Sequence, residues 1–85
     1  MRMATDVRAL RTCWGDRIRI ARARRRLSQR ALAQAALIDQ ATMSRIERGL
    51  MGSSDEVRLR IAAALDVPFG ELFDAPELDM AGTGS

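Results

Sequence analysis

The amino-acid sequence predicts an all-α fold, a compact domain of five short helices. Apolar residues recur at spacings of three and four in successive segments, as they do along one face of a helix. Alanine, leucine, arginine and glutamate dominate the 85 residues, while aromatic residues make up only 4%, and this composition favours helix over strand. A chain of this length has room for one domain, which buries about 60% of the surface that the unfolded chain exposes.

The first helix is predicted to cover at least residues 15–25. Its apolar stripe consists of Val7, Leu10, Trp14, Ile18 and Ala21. Two starting points are open, because Thr5 or Asp6 would cap an early start and Asp16, directly after Gly15, would cap a later one.

Two short helices of similar length are predicted next. Ser28 is an N-cap candidate for a second helix over residues 29–36, and Asp39 is the corresponding candidate for a third helix over residues 40–48. Gly49 then provides a stop. Two helices separated by a three-residue turn are typical of a helix-turn-helix.

The remaining helices are predicted from a capping box and a proline. Ser53 with Glu56 three residues later forms the capping box that opens helix 4. Pro68 stands where the first turn of helix 5 would begin. The predicted domain therefore covers residues 14–73, preceded by an extension, 1–13, that prolongs helix 1 or stands apart from it. Residues 74–85 are predicted to form an acidic, disordered tail.

The charges divide sharply along the chain. All 14 basic residues are arginine. Residues 1–48 hold twelve of these arginines and four of the eleven acidic residues, which gives a net charge of +8. Residues 49–85 have a net charge of −5. Such a division of charge predicts that one face of the protein binds a polyanion.

Several function classes are excluded by residue types that the sequence lacks. It contains no histidine and one cysteine, Cys13, so the usual metal sites and histidine-based acid–base catalysis are not expected. We therefore expect neither an enzyme nor a cofactor. There is no signal peptide and no apolar run of about 20 residues, which predicts a cytoplasmic protein without membrane association.

One continuous stretch, residues 27–49, carries a specific motif. It contains Leu-Ser-Gln at 27–29, a Leu-Ala pair at 32–33 and Ser-Arg-Ile-Glu-Arg-Gly at 44–49, and Glu-Leu-Phe follows at 71–73. With Gly-Asp-Arg-Ile-Arg at 15–19, these residues resemble the lambda-repressor-like family of helix-turn-helix domains, of the Cro/cI or Xre type. The resemblance covers most of the chain and implies a DNA-binding domain whose helix-turn-helix is formed by helices 2 and 3.

The resemblance also implies which side chains meet DNA. The outer face of helix 3 is free to enter the major groove, and its expected base contacts are Gln40, Ala41, Thr42 and Arg45. The expected phosphate contacts are Ser28, Gln29, Arg30 and Arg48, with Arg17 and Arg19 as weaker candidates. Gln29 is also expected to brace Gln40.

Other residues are expected to serve the fold. Arg22 and Glu47 match a structural ion pair of the family. Phe69, Leu72 and Phe73 are expected either to form a dimer surface or to close the core, and Val7 with Leu10 offers a second dimer surface.

Three positions depart from the family pattern, because the family usually has glycine where this chain has Arg26, Leu37 and Asp66. At Leu37 the expectation is either a strained backbone with positive φ or a turn of different shape.

Two function hypotheses follow. The first is a transcriptional regulator, expected to be a repressor, that binds a two-half-site DNA operator as a homodimer. The second is a protein-interaction module, such as the antitoxin of a toxin–antitoxin pair, which would bind its protein partner through the acidic tail.

Overall fold

The computed structural model describes residues 6–75. Within them the chain forms five α-helices and no strand: α1 (Val7–Arg24), α2 (Gln29–Ala35), α3 (Gln40–Glu47), α4 (Asp55–Leu65) and α5 (Phe69–Phe73). The predicted all-α, five-helix fold is confirmed, and the predicted bounds of helices 2 and 3 are correct to within one residue. No helix in the described part of the chain has the length and apolar character needed to cross a membrane.

The core lies between all five helices. Its fully buried large side chains are Ile18, Leu32, Met43, Ile61 and Leu65. Each comes from the apolar stripe of its helix, so burial follows the 3.6-residue period that the sequence displays. Half-buried Trp14, Leu27, Ile38 and Val57 pack around this centre.

Helix α1 takes the earlier of its two possible starts. Asp6 occupies the N-cap position, although its side chain makes no capping hydrogen bond. The later start at Asp16 is wrong, because Gly15 lies inside α1 and is buried. Gly15 is needed for a close approach to α3, since an added Cβ would lie 2.8 Å from the carbonyl oxygen of Ile46.

The N-cap of α4 is Ser54, one residue later than predicted. The Ser54 hydroxyl accepts a hydrogen bond from the backbone N–H of Val57 at 3.2 Å. The predicted capping box of Ser53 and Glu56 is therefore wrong, because the reciprocal bond requires the cap at Ser53.

Three helices end in a left-handed residue that is not glycine. Arg26, Leu37 and Asp66 have φ values of 53°, 62° and 57°. In each case the backbone N–H groups at and after this residue close back on the helix; for example, Ile38 N donates to Ala33 O and Leu37 N to Gln34 O, at 3.0 and 3.1 Å. This is the Schellman arrangement of a helix end. The turn at Leu37 therefore keeps the common shape and accepts the strained φ.

Helix α5 closes the domain against α1 and α4. Leu72 and Phe73 are 2% and 6% exposed, so both belong to the core of this chain, the second of the two uses predicted for them. Phe69 stays more than one-third exposed. Most of the predicted N-terminal extension falls within α1 from Val7 onwards. The first residue of the predicted tail, Asp74, is the C-cap of α5, whereas residues 1–5 and 76–85 lie outside the described residues.

Candidate nucleic-acid interface

Helices α2 and α3 are joined by a short turn, and a serine or aspartate side chain caps the start of each helix. Ser28 caps α2 by accepting from Ala31 N at 3.0 Å, and Asp39 caps α3 by accepting from Thr42 N at 2.7 Å. Both caps lie at the predicted residues. Each satisfies one backbone N–H that the first helical turn leaves free.

The angle between the two helices is fixed by a buried face on each. Ala33 is 1% exposed and Ala36 is fully buried on α2, while Met43 and Ile46 are buried on α3. Small alanine side chains allow close approach of the helices, and a larger side chain there would separate them. Helix α3 is therefore held rigidly with its opposite face outwards.

That opposite face carries the residues predicted to contact bases. Gln40, Ala41 and Arg45 are exposed and Thr42 is half-buried. Arg45 belongs to none of the ion pairs found among residues 6–75, so its guanidinium is available to a ligand. The structure thus brings all four onto α3, with Gln40 at its first residue.

The residues predicted to contact phosphates lie at helix ends around this face. Ser28 and Gln29 stand at the N-terminus of α2, and Arg30 next to them is exposed. Arg48 follows α3; its Nε donates to the Ser44 carbonyl at 3.3 Å. A helix N-terminus and exposed guanidinium groups both attract an anion.

Asp39 places a negative charge at the start of α3. Hydrogen bonds from the hydroxyl and the backbone N–H of Thr42, with a smaller contribution from the charge of Arg45, hold the pKa of Asp39 below its ordinary value of 3.8. The carboxylate is therefore ionised at neutral pH and stabilises the positive end of the helix dipole.

An ion pair between half-buried Arg22 and buried Glu47 lies directly behind the exposed face. Arg22 on α1 meets the Glu47 carboxylate with two hydrogen bonds, from Nε at 2.8 Å and from Nη2 at 3.0 Å. Gln29 Nε2 donates to the same carboxylate at 3.2 Å, and Gln40 Nε2 donates to Gln29 Oε1 at 3.3 Å. These four side chains, Arg22, Glu47, Gln29 and Gln40, form one hydrogen-bonded chain that we call the relay.

Arg17 and Arg19, the weaker candidates for phosphate contact, form ion pairs within the protein. The Arg17 guanidinium binds the Asp74 carboxylate at 2.5 Å and lies 3.4 Å from the Glu71 carbonyl. Arg19 pairs with Asp16 at 2.7 Å. Arg17 therefore fastens the end of α5 to α1, and its contact with phosphate stays a prediction.

A second set of contacts between α1 and the end of α5 was not predicted from the sequence. The Trp14 indole N–H donates to the Asp74 carbonyl at 2.9 Å, and its ring packs edge-on against Phe73. The Arg58 guanidinium lies over the Trp14 ring, 4.7 Å from its centroid. These residues are far apart in the sequence, so no local pattern signals their contact.

Comparisons with known proteins agree with this geometry. The helix-turn-helix domain family matches residues 15–75. The restriction-modification controller protein C.AhdI from Aeromonas hydrophila has a similar structure, with a TM-score of 0.73 and 35% identity over 76% of this chain and 98% of that one. The clp gene regulator ClgR from Corynebacterium glutamicum has a TM-score of 0.72 and 27% identity over 87% of this chain and 74% of that one. A comparison with curated proteins finds no match. The resemblance found in the sequence is confirmed: the chain belongs to the helix-turn-helix domain family and has the fold of its DNA-binding regulators.

Proposed function

We propose that this chain is a sequence-specific regulator of transcription that inserts the N-terminal half of α3 into the major groove of double-stranded DNA. The observation that carries the proposal is the two-sided character of α3: Met43 and Ile46 are buried against α2, and Gln40 and Arg45 are exposed on the other side. A recognition helix held at a fixed angle in this way enters the groove with its N-terminal residues first.

The exposed side chains of α3 suit base reading. The Gln40 amide is able to pair with adenine N6 and N7, and the Arg45 guanidinium with guanine O6 and N7. Ala41 and the Thr42 methyl are suited to the methyl group of thymine. Each good bidentate pair is worth about 1–3 kcal/mol of discrimination against the wrong base.

The surrounding residues suit the DNA backbone. Ser28 and Gln29 offer the N-terminus of α2 to one phosphate, and Arg30 and Arg48 offer guanidinium groups to others. Phosphate contacts of this kind set the position of the protein and make its affinity salt-dependent, but they carry no sequence information.

We propose further that the protein acts as a homodimer on an operator of two half-sites, and as a repressor. A single helix that reads a few base pairs discriminates poorly among the ~10⁶–10⁹ competing sites of a genome. Phe69, which is 37% exposed beside Phe73, and Val7, which is 48% exposed, are apolar side chains available for the second copy. The relatives are named as a controller protein and a gene regulator, which supports a role in gene control.

Selection from a pool of randomised duplexes, followed by affinity measurements at several salt concentrations, tests the proposal. Arg45→Ala is expected to lose preference at one base pair of each half-site. Arg48→Ala is expected to weaken binding to all duplexes alike and to reduce the salt slope by about 1.

The matched control is Arg60→Ala, which removes one arginine from α4, where Arg60 pairs with Glu56 at 3.6 Å. It should leave sequence preference unchanged. Selection that enriches no sequence for the wild type would overturn the proposal, and an Arg45→Ala variant that selects the wild-type sequence would overturn the assignment of Arg45.

A further inference from the structure

Glu47 is the only charged residue that is fully buried among residues 6–75, with 3% of its surface exposed. Its partner Arg22 is only half-buried. A buried carboxylate needs to be paired and hydrogen-bonded, and such a pair is weak evidence for stability by itself. The position of Glu47 therefore calls for a role besides holding α1 to α3.

We propose that Glu47 is a positioning residue for base reading, which acts through Gln29 to fix the direction in which the Gln40 amide faces the DNA. The proposal rests on the proposed role of Gln40 in reading a base. It assigns to the ion pair a part in specificity as well as in the fold.

The direction of each hydrogen bond in the relay follows from the chemistry of its first member. An ionised carboxylate only accepts hydrogen bonds, so the Gln29 side chain has to turn its NH₂ group towards Glu47. The Gln29 carbonyl oxygen then points the other way and accepts from Gln40 Nε2. Reversing either amide would set two acceptors, or two donors, against each other.

The last amide in the relay is therefore polarised. Gln40 uses one N–H on Gln29, and this leaves one N–H and the whole of Oε1 for the DNA. One acceptor and one donor side by side match adenine, whose N6 donates and whose N7 accepts, whereas guanine presents two acceptors at O6 and N7. The relay thus holds Gln40 ready for adenine before the DNA arrives.

Preorganisation gives the expected size of the effect. A well-placed bidentate contact discriminates about 5- to 150-fold between bases. Glu47→Gln keeps the shape of the side chain but supplies an amide that presents either its donor or its acceptor end to Gln29. Both directions of the relay then become available, and we expect adenine preference at the Gln40 position to fall by at least about twofold, the factor that two equally populated directions give.

A purely structural ion pair predicts a different result. Loss of stability or a shift of α3 as a whole would weaken binding to every duplex by the same factor, and the preference at each base pair would be retained. The ratio of affinities for duplexes that differ only at the Gln40 position is therefore the discriminating measurement.

The experiment compares the base preference of wild type, Glu47→Gln, Gln40→Ala and the double variant on duplexes chosen by selection. We expect Glu47→Gln to lose preference at the Gln40 position alone, and the double variant to show the same preference as Gln40→Ala. Glu56→Gln is the control, because it makes the same change on an exposed residue of α4 and should retain all preferences.

Gln29→Met supplies a second route if Glu47→Gln does not fold. It interrupts the relay while leaving the Arg22–Glu47 pair intact, and it should lower the adenine preference in the same way. If the wild type shows sequence preference and the relay variants keep that preference at the Gln40 position, this inference is overturned and the proposed function is not. Wild-type protein without any preference would overturn the proposed function and this inference with it.

Discussion

Two glycines in helices make a matched test of how closely α1 packs on α3. Gly15 lies in the middle of α1, and a Cβ added there would be 2.7 Å from the carbonyl carbon of Glu47 and 2.8 Å from the carbonyl oxygen of Ile46. Gly70 lies in α5, and a Cβ added there would meet nothing within 4 Å. The same change, glycine to alanine, therefore meets backbone at one site and open space at the other.

The expected free energies differ in sign. Alanine gains about 0.5–1 kcal/mol over glycine inside a helix, and at Gly70 nothing opposes this gain. At Gly15 the clash is with backbone atoms, and overpacking of this kind costs about 1–3 kcal/mol. The difference between the middles of these two ranges is about 1 kcal/mol, so Gly15→Ala should lower the free energy of unfolding by roughly that amount, or the melting temperature by about 4–8 °C.

Urea unfolding followed by the fluorescence of Trp14, the only tryptophan, measures both variants. Because the clash is at the C-terminal end of α3, Gly15→Ala should also weaken DNA binding, whereas Gly70→Ala should not. Equal stability of Gly15→Ala and wild type would refute the close packing of α1 on α3.

Three further predictions concern the turn, the cap and the exposed end of α5. Leu37→Asn should raise the free energy of unfolding by about 0.5–1 kcal/mol, because asparagine tolerates the left-handed conformation better than leucine and Leu37 is 72% exposed. Thermal and urea unfolding measure this difference. An unchanged or lower free energy of unfolding would contradict a strained backbone at Leu37. The pKa of Asp39 is lowered in the folded protein from its ordinary value of 3.8, so its stabilising effect is present above that unfolded value and is lost as pH falls through the folded value. Urea unfolding between pH 5 and 2 should therefore show wild type losing stability relative to Asp39→Asn, which cannot titrate, and parallel curves would count against the cap. Phe69→Ser should shift the sedimentation of the protein towards the monomer while its circular dichroism stays helical, and an unchanged dimer would exclude Phe69 from the interface.

The sequence was sufficient for the helices whose signals are local. The apolar period predicts all five, and Ser28 and Asp39 cap α2 and α3 as predicted. It was insufficient where packing decides between equal local signals. Ser53 and Ser54 are both good caps, and the start of α1 depends on whether Gly15 breaks a helix or admits a neighbour, which only the contact with α3 settles.

The residues of the candidate site fall into the same two groups, those that the sequence predicted and those whose contacts depend on packing. Family spacing placed Gln40 and Arg45 on the outer face of α3, and it brought Arg22 and Glu47 together. The family resemblance also placed Gln29 beside Gln40, but it did not reveal that Gln29 bonds to Glu47 as well, because that contact depends on the distance between side chains of two helices. Nor did it reveal the role of Arg17 at the end of α5.

Base reading by α3 in the major groove is tested most directly by replacing one atom of the DNA. In a duplex chosen by selection, each guanine of a half-site is replaced in turn by 7-deazaguanine, which lacks the N7 acceptor that an arginine fork requires. One such replacement should weaken binding of the wild type several-fold and leave binding of Arg45→Ala unchanged. If no replacement affects the wild type, or if the same replacement weakens both proteins equally, Arg45 does not read guanine and the proposed docking of α3 is contradicted.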